Sequence, residues 1–371
     1  MLKLLTYNEA LDLVNLPNSP FYESKYSVDG YNISTFNYRL ASWSDFNAPG
    51  AKEMRGLTFV FNADGSLFKR YLLLEKFFNL NQVPDTMYSE VKNLKIRSIS
   101  NKEDGSIASF IKLPNGRVLG KSKMSVATDQ AIGITRVYSR NESIKRLVDW
   151  SFDNDITAVF EYTAPSNRIV LRYDTEDLIL LRLRNNLTGE LLDLNDYLDV
   201  IGDVKIAPFE NGYTLDELIE LASYVENKEG WIVEFENGLL MKIKTAFYFR
   251  LHGLFTEDLN RENIIIDYIL KDEIDDVLSK IPDDTDTIVR IDNIVEKVRY
   301  ALDKKSKEID NLYDKYLSIN NRKEFAILYN RNENFGYVMS MLNGKNSYEL
   351  AKDYLSKKTN KLLSAREWLS I

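Results

Sequence analysis

The sequence predicts an α+β chain: antiparallel sheets flanked by helices over residues 1–255, then an all-helical domain over 256–371. Tight hairpin turns are concentrated in the first two-thirds, and helical periodicity takes over from about Asp258. A length of 371 residues suits two domains, because a single core rarely grows beyond about 250–300 residues.

The strands are read from their turns. Asp64-Gly65 separates Leu57–Phe61 from Leu67-Phe68, Asn115-Gly116 separates Ile107–Ile111 from Val118–Lys123, and Asn237-Gly238 separates Trp231–Phe235 from Leu239–Lys244. Asn-Gly and Asp-Gly accept the positive φ angles that two-residue hairpins need. A further pair is expected between Thr157–Tyr162 and Arg168–Tyr173, followed by the apolar run Leu178–Leu183. Helices interrupt this pattern. Thr214-Leu215-Asp216-Glu217 is a capping box, with Tyr213 and Leu218 placed for a hydrophobic staple. Asn141–Trp150, with Ile144, Leu147 and Val148, has helical spacing, as do Asn263–Leu270, Ile291–Leu302 and Tyr348–Leu355. The basic run Lys357, Lys358, Lys361, Arg366 reads as a solvated helix face.

Composition narrows the chemistry. Without cysteine there are no disulfides, thiolate metal sites or thiol nucleophile. The single histidine, His252, rules out a histidine-rich zinc site, so Lys, Arg, Asp, Glu and Tyr must carry any reaction. The 22 Tyr and 18 Phe suit core packing first and base stacking second. A formal charge of -8 means that any nucleic-acid groove must be a basic patch on an acidic body, drawn from the 48 Lys and Arg. The start Met1-Leu2-Lys3-Leu4-Leu5 reaches Asn8 and Glu9 too soon for a secretory apolar stretch, and no run suits a membrane span. A soluble, cytoplasmic protein is expected.

Lysines stand out next. On a strand, residues two apart share a face, so Lys242 and Lys244 project together, and Lys121 and Lys123 do likewise. Like charges so close repel, unless the face binds polyphosphate. The same crowding favours a lysine nucleophile, which attacks only as the neutral amine. A pocket lined by Arg55, Lys242 and Lys244 would activate Lys102 and neutralise a triphosphate together. Glu161 and Glu229, on otherwise apolar strands, need cations, metal or ligand hydroxyls as partners, and hard oxygen ligands suit magnesium.

In this order the motifs resemble the covalent nucleotidyltransferase superfamily of ATP-dependent ligases and RNA-capping enzymes, and most nearly the phage RNA ligases of the tRNA-repairing RNA ligase 1 group. Lys102-Glu103-Asp104-Gly105-Ser106 matches the nucleotidyl-lysine motif, which implies that Lys102 takes AMP and that Glu103, Asp104 and Gly105 lie at the nucleotide. Glu53-Met54-Arg55-Gly56 matches the element whose arginine holds phosphate. Glu75-Lys76-Phe77-Phe78-Asn79-Leu80 matches a segment particular to RNA ligases, with Lys76 and Phe78 beside the nucleotide. Phe160-Glu161-Tyr162, followed by Asn167-Arg168-Ile169-Val170, matches the motif whose glutamate contacts the ribose. Glu229-Gly230-Trp231 matches the fourth motif, implying metal at Glu229 and nucleotide at Gly230. Lys242-Ile243-Lys244 matches the phosphate-binding fifth motif, with Tyr248 at the family spacing. Tyr38 corresponds to an adenylate-proximal tyrosine, and Lys123 to a lysine that reaches the site. Met124 departs from the small residue found there in the family.

The resemblance covers Tyr38 to Tyr248 well and the last third more loosely. It implies the nucleotidyltransferase fold, ATP and magnesium (with manganese as a substitute), and repair of broken tRNA through a lysyl-AMP and an adenylylated RNA. It implies a monomer, in a host cytoplasm if the chain is phage-encoded. Asp275-Asp276 reads first as helix-surface carboxylates, with a metal-binding acidic pair of the family as the alternative that the resemblance implies. A DNA ligase or capping guanylyltransferase is the alternative within the superfamily, and the Glu75–Leu80 segment argues against both. A non-catalytic RNA-binding protein is the alternative outside it.

Overall fold

The structure is a computed structural model that describes residues 3–165, 173–251, 262–278, 285–342 and 345–359. His252, Asn167–Val170, Lys361 and Arg366 lie outside the described residues, as does most of the expected strand Arg168–Tyr173. The chain divides into two compact units, Met1–Gly253 and Leu254–Ile371.

Thirteen strands build the first unit among the described residues: β1 Phe21–Val28, β2 Tyr31–Tyr38, β3 Leu57–Phe61, β4 Leu67–Tyr71, β5 Phe78–Asn79, β6 Ile96–Lys102, β7 Ser106–Lys112, β8 Val118–Ser122, β9 Ile156–Thr163, β10 Asp177–Asn185, β11 Leu191–Leu192, β12 Gly230–Phe235 and β13 Leu240–Lys244. They form three sheets, ordered β1-β2-β3-β4, β11-β10-β9-β7-β8 and β5-β13-β12-β6. Every pairing is antiparallel except the short one between β5 and β13.

All three expected Asn-Gly and Asp-Gly turns close hairpins, each with its glycine at positive φ. A fourth, Asp29-Gly30, joins β1 to β2. The described partner of β9 is β10, the apolar run that the sequence placed after the pair, with β7 on its other side. Every residue of β9 is buried, so this strand sits mid-sheet, where both neighbours must supply hydrogen bonds.

Each sheet buries one face under helices. Helices Asp129–Arg140 and Glu142–Asp153 cover the five-stranded sheet through Ile134, Leu147 and Val148 against Phe110, Phe160 and Leu180. Asn141 caps the second helix with two side-chain hydrogen bonds. Helix Leu215–Tyr224, started by the Thr214–Glu217 capping box, covers Trp231, Val233 and Ile243 of the third sheet. The opposite faces of these two sheets, free of that apolar cover, carry the polar residues described below.

Helices alone form the second unit among its described residues, including Glu262–Leu270, the 35-residue Thr285–Ile319 and Ser347–Thr359. Leu312, Phe325 and Val338 form one of its cores. No helix among the described residues is long and apolar enough to cross a membrane.

Candidate active site

Register places the lysines. Gly230 opens β12 opposite Lys102 of β6 on one side and Lys244 of β13 on the other. One step along, Ile232 faces Ser100 and Lys242. Lys102, Ser100, Ile232 and Lys242 therefore share the face turned away from the Trp231 core. Gly230 is required at the crossing: its φ is +153°, and a Cβ would lie 2.0 Å from the Ile243 carbonyl oxygen of β13.

Opposite that face stands β9 of the five-stranded sheet. A cleft between the two sheets is lined by Arg55, Phe77, Lys102, Glu103, Gly105, Glu161, Arg182 and Lys242. Gly105 lets the turn after Lys102 approach β9, because a Cβ there would meet the Tyr162 carbonyl oxygen at 2.4 Å and Glu161 Cγ at 3.1 Å. Glu103 is held from both sides, accepting from Asn101 Nδ2 at 2.6 Å and from the Tyr173 hydroxyl at 3.1 Å. The Asp104 amide donates to the same hydroxyl, so Tyr173 fastens the whole turn.

Lys102 is not surrounded by cations alone, as the sequence suggested. Its Nζ contacts Glu229 Oε1 at 2.6 Å, and Lys244 Nζ reaches the same oxygen at 3.1 Å. Converging ammonium groups in a half-buried cleft need a counter-charge, and Glu229 supplies it from just before β12. Burial pushes the Glu229 carboxyl up, but the attraction of Lys102 and Lys244 outweighs it and holds the group below the usual carboxylate range. Lys244 also lies 4.4 Å from the ring centre of buried Tyr248.

Glu161 behaves in the opposite way. Burial, only partly offset by Lys102, pushes its carboxyl up to about 8, with Glu229 adding to the rise. At neutral pH it is a neutral acid that can donate as well as accept a hydrogen bond. Arg55 donates to the Leu74 carbonyl at 3.1 Å, and Phe77 lies under both Arg55 and Lys242, at 5.8 and 5.0 Å.

The remaining expected residues gather in a second cluster. Lys76 is buried with its ammonium 5.2–5.7 Å from the ring centres of Tyr38, Phe46 and Phe78. Lys123 Nζ approaches the Tyr38 ring at 5.3 Å. The expected shared face of Lys121 and Lys123 does not form, because β8 ends at Ser122. Lys121 is instead buried, donating to the carbonyls of Ser122 and Lys123. Burial, aided by Arg55, pulls its ammonium down to about 7. Asp275 and Asp276 fall on helix Ile274–Leu278 of the second unit, and their side chains lie outside the described residues.

Sequence reasoning passed over Phe77, Arg182 and Tyr173. Phe77 was visible beside the chosen Phe78, and strand alternation would have put the two on opposite sides. Arg182, inside an apolar strand, carried the same signal of an expensive buried charge that singled out Glu161.

The sequence model of the RNA ligase family matches residues 53–253. A provisionally named RNA ligase of Thermovibrio ammonificans is 26% identical over 287 residues, covering 75% of this chain and 74% of that protein. Among solved structures, an archaeal ATP-dependent RNA ligase aligns with a TM-score of 0.46 and 11% identity, over 78% of this chain and 76% of that one. A Naegleria gruberi RNA ligase variant with AMP and manganese aligns at 0.39 and 14% identity, over 48% of this chain and 57% of that one. The chain thus spans little more than half the length of the Naegleria structure.

Proposed function

The chain belongs to the RNA ligase family, and we propose that it joins RNA 5′-phosphate and 3′-hydroxyl ends using ATP, with Lys102 as the residue that carries AMP. The observation that supports this most is the shared oxygen of Glu229 between Lys102 and Lys244, with Lys102 lining a cleft beside Arg55 and Lys242.

Lys102 Nζ attacks the α-phosphorus of ATP; a nitrogen–phosphorus bond forms and the bond to the pyrophosphate oxygen breaks. The departing proton of Lys102 has an acceptor in Glu229, already in hydrogen-bond contact. Lys244 competes for that carboxylate. Phosphates that draw Lys244 away raise the proton affinity of Glu229 at the moment the amine must lose its proton. The nitrogen–phosphorus bond then breaks as an RNA 5′-phosphate oxygen takes the AMP, and the leaving Lys102 amine regains its proton from Glu229. Finally a 3′-hydroxyl oxygen attacks the activated 5′-phosphorus and expels AMP. Arg55, Lys242 and Lys244 stabilise phosphate charge through these steps. Glu161, as a neutral acid, suits a ribose hydroxyl.

No group of three or more acidic or histidine side chains that could cage a metal occurs among the described residues. Hard carboxylate oxygens suit magnesium or manganese carried by the triphosphate, and Glu229 is the residue that would hold the ion. Bound so, the ion would supply charge to the pyrophosphate leaving group.

Broken tRNA is the substrate this reading favours, with the helical unit as the part that recognises it. The enzyme acts as a cytoplasmic monomer, in a host cell if the chain is phage-encoded. The test is ligation of end-labelled RNA with ATP and with GTP, for wild type and Lys102→Ala. ATP-dependent joining lost in the variant supports the reading, and GTP preference overturns it in favour of capping chemistry. Equal kcat/KM on nicked tRNA and on unstructured RNA would remove the tRNA assignment alone.

A further inference from the structure

We infer that Phe209 and Arg182 form a nucleobase subsite for an RNA end, continuous with the Lys102 cleft; this rests on the RNA ligase reading. Residues 205–210 tie the two sheets of the cleft together. Leu180 of β10 is bonded to Lys205 and Ala207, and β6 is bonded to Pro208 and Glu210 through Asn101 and Ile99. Phe209 pairs with Ser100 in an antiparallel bridge, so its side chain shares the face of Ser100 and Lys102. That face continues to Ser98 and Glu234, which oppose each other in register. Two residues along a strand advance about 7 Å, so Phe209 stands one such step from the Lys102 row.

A pocket opens there, lined by Arg97, Arg182, Asn195, Phe209, Asn211 and Glu234. Arg182 lines both this pocket and the Lys102 cleft, and donates to Ser100 Oγ at 3.1 Å. The charges in the pocket cancel: Glu234 lies 3.4 Å from Arg97 and 3.9 Å from Arg182, and Asp193 also lines it. A phosphate would find no unopposed cation. What remains is Phe209, a residue 40% exposed, with the Arg182 guanidinium 5.3 Å from its ring centre and Asn195 and Asn211 lining the same pocket. A ring face with neutral hydrogen-bonding groups is what an unstacked base requires. The neighbours of Phe209, Pro208 and Glu210, are both bonded to β6, so little order has to be created on binding.

Two labelled single-stranded RNAs distinguish the ends: one with a 5′-phosphate and a blocked 3′ end, the other with a 5′-hydroxyl and a free 3′-hydroxyl. Their affinities are measured for the full chain, without ATP, for wild type, Phe209→Ala and Phe209→Trp. Phe209→Ala should weaken one of the two RNAs roughly tenfold, and Phe209→Trp should stay near wild type. The RNA affected names the end that the subsite holds. Should Phe209→Ala fail to fold, Asn211→Asp carries the test, with weaker binding of one of the two RNAs expected. Adenylylation of Lys102 is followed in the same preparations. Unchanged affinity for both RNAs in a variant that still takes AMP overturns the subsite and leaves the ligase reading intact. Phe209-dependent binding in a wild type that never takes AMP supports the base subsite and overturns the ligase reading.

Discussion

Lys102 and Lys244 meet at one atom, Glu229 Oε1, at 2.6 and 3.1 Å. They come from strands on either side of β12, and the absence of a side chain at Gly230 allows the approach. The carboxylate thus holds Lys102, the proposed nucleophile, and Lys244, a proposed phosphate ligand, in one ion-paired unit.

Replacing that carboxylate by an amide keeps the shape and removes the proposed proton acceptor. Glu229→Gln should slow AMP transfer to Lys102 by about 100-fold or more at neutral pH. Part of the loss should return as pH rises, because solvent then removes the proton. Rapid-quench rates across pH check this, and a loss that does not change with pH would remove Glu229 from the proton's path.

Glu161 makes a stability prediction whose sign is fixed. Unfolded, its carboxyl ionises near 4.5; folded, it holds its proton to about 8. Between those values the folded state binds more protons, so wild type loses stability as pH rises. Glu161→Gln should match wild type in acid, gain through that window, and be more stable by roughly 1–3 kcal/mol at neutral pH. Denaturant melts without nucleotide measure it; a less stable variant at neutral pH would contradict it.

How much of this was legible in the sequence differs from residue to residue. The hairpins were, because Asp64-Gly65, Asn115-Gly116 and Asn237-Gly238 write a backbone requirement directly into residue type. Lys102, Lys242 and Lys244 were legible as a face through strand alternation and motif order. The partner of Lys121 was not, because alternation says nothing of where a strand ends, and β8 stops at Ser122. Nor was the role of Glu229 between two lysines, which depends on a register across three strands. The buried pair of Glu53 and Arg184 lies 131 residues apart in sequence, beyond any local pattern.

That pair supports the element carrying Arg55. Arg184 grips both oxygens of Glu53 and also reaches the carbonyls of Leu73 and Gly189. Arg184→Met should cost about 3–5 kcal/mol, because it strands a buried carboxylate. The double change Glu53→Met with Arg184→Met should cost less than the two single changes summed, as urea melts of all three variants would show.

Gly105 separates folding from catalysis. A methyl group there would press on the Tyr162 carbonyl at 2.4 Å, which is backbone in the middle of a sheet. The turn carrying Lys102 must move instead. Gly105→Ala should lose AMP transfer by about 100-fold or more, in line with displacement of a positioned nucleophile. Its stability should fall by only about 1–3 kcal/mol. Parallel measurement of adenylylation and thermal melting checks the split.

The covalent intermediate itself is the most direct test. Nucleotide-free protein is incubated with ATP and magnesium, digested, and the peptide containing Lys102 is weighed by mass spectrometry. One added AMP on that peptide, absent from Lys102→Ala, is the expected result. A folded wild-type protein that binds ATP yet gains no adenylyl group, or gains it on another lysine, would contradict the account.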